Sequence, residues 1–157
     1  GKKPGAFGAK IGSLFERAFS GEPDGLNSEP VARDYRHSLA VIKKARETNA
    51  VAKLVEFSFS CEGLPKMDLL SDSDPFLVVM LADGVKKEVE LLRTETVWDE
   101  MSPRFVHALL LLEPTSSMTL RIVAYDRDRE SEKLDKHDFL GETKVLASDV
   151  VAAGSLT

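Results

Sequence analysis

The segment Tyr125-Asp126-Arg127-Asp128-Arg129-Glu130-Ser131-Glu132-Lys133-Leu134-Asp135-Lys136-His137-Asp138-Phe139-Leu140-Gly141-Glu142 sets four aspartates between two stretches of strand character. Few folds accommodate it. Upstream, Met118, Leu120, Ile122 and Ala124 fall on one face of a period-2 run, the signature of a strand with a buried side. Asp126 and Asp128 lie two apart at its end, so their side chains point the same way. The loop then brings Asp135 and Asp138 back towards them. Each close carboxylate pair repels by about 4 kcal/mol at roughly 4 Å and an effective dielectric near 20, so the arrangement calls for positive charge. A ligand set rich in oxygen, free of sulfur and poor in imidazole, mounted on loops, suits a hard cation that takes many oxygens. That chemistry favours Ca²⁺ over Mg²⁺ or Zn²⁺.

A second stretch, Leu64-Pro65-Lys66-Met67-Asp68-Leu69-Leu70-Ser71-Asp72-Ser73-Asp74-Pro75-Phe76, repeats the theme: Asp68 and Asp74 flank a turn, and a new strand starts at Pro75. Arg93-Thr94, Pro103-Arg104-Phe105 and Asp138-Phe139-Leu140-Gly141-Glu142 complete an ordered set. In this order and spacing the chain resembles a C2 domain from about Val51 to Val151. Within that family it is most similar to the first C2 domain of the copines, calcium-dependent phospholipid-binding proteins. Phe59-Ser60-Cys61, Arg93-Thr94-Glu95 and the long loop closing on Leu134-Asp135-Lys136-His137-Asp138 carry that likeness. One departure is Ser102 before Pro103, where C2 domains usually have Asn; it touches the turn more than the metal site.

The resemblance implies an all-β fold, a C2-type Greek-key antiparallel β-sandwich, here with a helical N-terminal extension. It implies Asp68, Asp74, Asp126, Asp128 and Asp138 as Ca²⁺ ligands, with Asp135 accessory, and Leu69 and Leu134 as apolar loop-tip residues that enter a membrane. The function expected is calcium-dependent binding to anionic phospholipid membranes, by a cytoplasmic protein recruited to the cytoplasmic face on calcium binding. The alternative is a calcium-independent module that binds a protein partner or a phosphoinositide, with Lys86, Lys87 and Arg93 as a small basic face.

Composition agrees with a globular chain, at 30% charged and 43% hydrophobic residues, rather than a disordered one. The formal net charge of -5, with no basic stripe interleaved with aromatics, argues against general nucleic-acid binding. Two calcium ions would add positive charge at the acidic tips and reverse the local sign. Cys61 is the only cysteine, so neither a disulfide framework nor a thiolate metal site is available. It reads as a small apolar core residue. His37, His107 and His137 are scattered, and no serine or cysteine can be set beside a positioned base, so an enzyme is not expected. No apolar run reaches the length of a membrane span, and no signal-peptide core opens the chain.

Along the chain, Gly1 to about Ala9 reads as flexible from its Gly, Lys and Pro content. Ile11, Leu14, Phe15, Ala18 and Phe19 give one face of an amphipathic helix over residues 10–20. Residues 22–30 read as a linker, and Tyr35, Leu39, Ile42 and Ala45 favour a helix before a domain boundary near Asn49. Residues 1–49 are thus expected to be an extension and 50–157 the C2 domain. Strands follow at about 51–61, 76–81, 88–94, 104–112, 118–125 and 140–146, with a helical turn at 148–151. Six strands leave a C2 sandwich of eight incomplete. The missing ones are expected after Thr157, or from the N-terminal part, or from another copy of the chain, because an uncovered sheet edge invites pairing.

Overall fold

The computed structural model describes residues 7–11, 36–66, 70–82 and 87–156. The described strands are β1 (Phe7–Ile11), β2 (Leu54–Phe59), β3 (Pro75–Ala82), β4 (Val89–Arg93), β5 (Leu109–Leu112), β6 (Thr119–Asp126), β7 (Asp138–Leu146) and β8 (Ser155–Leu156), with helices α1 (Arg36–Glu47) and α2 (Ala147–Ala153). They form two antiparallel four-stranded sheets, ordered β5-β2-β1-β8 and β4-β3-β6-β7. This is the expected β-sandwich.

Alternation builds the layer between the sheets. Val55, Phe57 and Phe59 of β2 face Leu77 and Val79 of β3, and Leu120, Ile122 and Ala124 of β6, in one buried cluster. Phe57 is 1% exposed, and truncating such a phenylalanine to alanine costs about 3–5 kcal/mol. Leu54 and Leu110 point to the opposite face of their sheet, where Ile42 and Ala45 of α1 cover them. The expected helix before Asn49 is therefore present, and its apolar face lies on the sandwich. A short helix is marginal alone and is held by such a contact.

The N-terminal reading needs correction. Phe7–Ile11 is a strand, β1, paired along its length with β2 and at Phe7 and Gly8 with β8. It occupies the interior of a sheet, not a flexible tail or the first turn of a helix. With β8 it brings the described strands to eight, in two sheets of four. The rest of the expected 10–20 helix, from residue 12, lies outside the described residues, as does the 22–30 linker. The helical turn at 148–151 is part of α2, which ends at Gly154 in a left-handed conformation (φ 76°). Glycine reaches that region without a side-chain clash, which lets the chain turn into β8. Among the described residues, no helix is long and apolar enough to cross a membrane.

Candidate metal centre

The site forms where β6 ends and β7 begins. The two strands pair regularly from Thr119↔Leu146 to Ala124↔Gly141; a bulge then shifts the register so that Tyr125 faces Phe139 and Asp126 faces Asp138. Without the extra residue, Asp126 would oppose Phe139. A bulge re-aims side chains in this way, and here it sets two carboxylates side by side. Tyr125 and Phe139 meet edge-on across the strands (centroids 6.4 Å apart), and Phe76 stacks on Tyr125 at 5.6 Å. The loop after Asp126 returns Asp128 to the pair. One ligand atom from each of Asp126, Asp128 and Asp138 lies within 4.8 Å of the others.

Asp74 holds the neighbouring loops to this end. Its amide donates to Asp126 Oδ1 at 2.8 Å, and its carbonyl accepts from the Arg127 amide at 2.9 Å. Its Oδ1 accepts the Asp99 amide at 2.7 Å, while Asp99 Oδ1 accepts the Asp72 amide at 3.1 Å. Asp99 adopts φ 54° to do this, a left-handed conformation that a short polar side chain tolerates better than most. The Arg93-Thr94 motif has a similar cause: Thr94 Oγ1 accepts the Leu77 amide at 2.8 Å, docking the β4 exit onto β3. Ser102, in place of the usual Asn, accepts the Gly63 amide at 3.0 Å and so ties these two loops together.

Asp128 registers the crowding of these carboxylates. The Asp128 carboxyl is pushed above its ordinary range, by desolvation first and then by the negative charges of Asp138 and Asp126. Three oxygen donors from a strand end, a loop and a strand start, with no nitrogen or sulfur among them, fit a hard cation of the calcium type. Asp126, Asp128 and Asp138 would hold it, and Asp74 stands beside Asp126.

Other expected residues fall elsewhere. Asp68, Leu69 and Lys86 lie outside the described residues. Asp135 is exposed in a 3-10 turn, Leu134–Lys136, and is not one of the three converging carboxylates. Leu134 is half-buried in that turn. Asp72 is turned towards Lys66, 3.7 Å away. Of the basic face, Lys87 is exposed, but Arg93 is committed: it pairs with Glu90 at 2.7 Å and donates to the Glu132 carbonyl at 2.7 Å. Alongside it, Arg121 pairs with Glu88 at 2.9 Å and Glu142 at 2.7 Å. Among the described residues these two arginines are thus matched by Glu88, Glu90, Glu132 and Glu142. Sequence reasoning did not single out three exposed apolar side chains: Leu70 (94% exposed) and Trp98 (65%) on these loops, and Phe139 (53%) directly after Asp138. Trp98 precedes Asp99, whose contacts to Asp72 and Asp74 place it at the acidic end. A lone Trp one residue from an Asp in a turn was the available signal.

Comparison with known proteins bears on the family and the fold. Protein BONZAI 1 of Arabidopsis thaliana is similar, 28% identical over 124 residues that cover 73% of this chain and 21% of the relative. Protein BONZAI 2 of the same organism is 29% identical over the same shares. The chain thus spans about a fifth of the length of these curated relatives. Among solved structures, BON1-C2B superposes with a TM-score of 0.50 at 24% identity, covering 62% of this chain and 66% of that one; the likeness is one of fold. The model of the C2 domain matches residues 52–156, about two thirds of the sequence, and with the sandwich and the acidic end in place the chain belongs to the C2 domain family.

Proposed function

We propose that this domain binds Ca²⁺ through Asp126, Asp128 and Asp138, with Asp74 and Asp68 of the first loop contributing, and that the loaded end docks on anionic phospholipid. C2 domains serve as lipid- or protein-docking modules, and many take calcium. The convergence of three carboxylates within 4.8 Å carries the calcium reading. The chain is acidic, with a net charge of -5, so its bare acidic end repels an anionic surface. Bound cations change that local sign. The resemblance of Phe59-Ser60-Cys61, Arg93-Thr94-Glu95 and the third loop to copines supports the same reading, including reversible recruitment to the cytoplasmic face of a membrane.

Apolar side chains then hold what the cation attracts. Exposed Leu70 and Trp98 would supply this together with Leu69, and half-buried Leu134 would contribute less. Tryptophan suits the headgroup level because its ring is apolar and its N–H is polar. The test is calcium titration by calorimetry, then cosedimentation with phosphatidylserine vesicles with and without chelator. Saturable calcium heat and chelator-sensitive sedimentation are expected. Sedimentation that persists in chelator refutes the calcium trigger and favours a calcium-independent module; calcium binding without sedimentation refutes the lipid partner.

A further inference from the structure

Asp128 lies beyond the end of β6, so its place beside Asp126 and Asp138 depends on how the loop from Arg127 to His137 is folded. His137 closes that loop, directly before β7. It is 7% exposed despite its acidic neighbours, and its ring meets Phe76 edge-on at 5.2 Å. Its Nε2 lies 2.9 Å from the Ser131 carbonyl oxygen, which can only accept, so Nε2 carries the hydrogen. Nδ1 is then bare and accepts the Asp128 amide at 3.2 Å. The two contacts together select one tautomer of the ring, as the partner of one nitrogen determines the state of the other. One imidazole thus spans the loop, joining the backbone at Asp128 to the backbone at Ser131. The His137 amide also donates to the Leu134 carbonyl at 3.1 Å, closing the turn before β7.

From this geometry we infer that His137 is a positioning residue for the metal site, acting through the Asp128 backbone and not on the ion. Its Nδ1 fixes the Asp128 peptide, and the peptide fixes where the Asp128 carboxylate stands relative to Asp126 and Asp138. This rests on the calcium reading of the carboxylates. Groups that orient metal ligands are typically worth about 10–100-fold in affinity. The competing role is a plug: a flat ring that fills space against Phe76.

Two substitutions separate these roles because they cross over. His137→Phe keeps a ring against Phe76 and removes both nitrogens. His137→Asn loses the ring but sets an amide oxygen near the position of Nδ1, so the Asp128 amide keeps an acceptor. Calorimetric calcium titration should show His137→Phe weakened by about 10–100-fold and His137→Asn retaining the larger part of the wild-type affinity. The inference is overturned if His137→Phe binds like wild type, or if His137→Asn is as weak as His137→Phe. A second readout needs no calcium. In the wild-type chain, NMR should detect nitrogen–nitrogen coupling across the Asp128 N–H to His137 Nδ1 bond, with ¹⁵N shifts of the Nε2–H tautomer. Absence of the coupling, or the opposite tautomer, overturns the inference even if His137→Phe fails to fold. Wild-type chain that gives no calcium heat sinks the calcium reading and this inference with it, whereas wild-type binding with an indifferent His137→Phe sinks this inference alone.

Discussion

Asp126→Asn and Asp126→Ala separate two jobs done by one carboxylate. Asp126 is 7% exposed, its Oδ1 accepts the Asp74 amide at 2.8 Å, and it belongs to the three carboxylates within 4.8 Å of one another. Asparagine keeps an oxygen for the amide and loses the charge; alanine loses both. The neutral hydrogen bond retained by asparagine is worth about 0.5–1.5 kcal/mol. For a chain of this size 1 kcal/mol moves the melting temperature by roughly 2–4 °C. In chelator, the alanine variant should therefore melt about 1–6 °C below the asparagine variant. The asparagine variant itself should stay close to wild type, because relief of repulsion from Asp128 and Asp138 offsets the weaker bond. Calcium changes the order. At a free concentration one hundred times its dissociation constant, an ion that binds only the folded state adds about 2.7 kcal/mol, or roughly 5–11 °C here. Wild type should show that rise in scanning calorimetry and both variants should lose most of it. An Asp126→Asn protein that keeps the full calcium-induced rise refutes the assignment of Asp126 as a ligand; equal melting of the two variants in chelator refutes its bridging role.

The control for position is Asp72→Asn, which should leave calcium affinity nearly unchanged while Asp128→Asn weakens it strongly; calorimetry that finds equal losses contradicts the convergence. Asp128 also predicts a pH effect. Its folded-state pKa is raised, so the ionised group destabilises the calcium-free fold above that pKa, and the penalty is released as pH falls through the window towards the unfolded value. Asp128→Asn should therefore exceed wild type in urea midpoint at neutral pH without calcium, with the gap closing on acidification; a gap that widens is the contrary result. At a vesicle surface, Leu70 and Trp98 each stand to bury a side chain worth roughly 1.5–3 kcal/mol. Leu70→Ala plus Trp98→Ala should weaken calcium-loaded vesicle binding by at least about tenfold with lipid-free calcium binding intact, and Leu134→Ala should do much less. Cys61 is 1% exposed, and burial pushes its thiol up to about 12. It should resist thiol reagents at pH 8 until the chain is unfolded in urea, and rapid labelling of the native protein would show that β2 does not end as described.

Much of this protein is local enough to read from residue order alone. Alternation in β2 and β6 exposes which side chains meet in the core, because a period of two assigns faces whatever the strand pairs with. The acidic loops are legible for a similar reason: Asp126 and Asp128 point the same way from one strand end, and the need to offset their charge is independent of the rest of the fold. Pairing across the chain is different. β1 is Phe-Gly-Ala-Lys-Ile, with little intrinsic strand preference; it is a strand because β2 and β8 supply partners on either side. In β3, Phe76 through Val79 are all buried, so alternation does not set its register. The bulge between Ala124 and Tyr125 decides that Asp138, and not Phe139, faces Asp126. The company of Arg93 is mixed in origin: Glu90 lies three residues away in the same strand, whereas Glu132 reaches it from the loop after β6, 39 positions on in the chain. Trp98 reaches the acidic end through hydrogen bonds that join Asp99 to residues about 25 positions earlier. Charge and alternation are properties of neighbours in sequence, whereas register, ion pairing and the convergence of loops belong to neighbours in space.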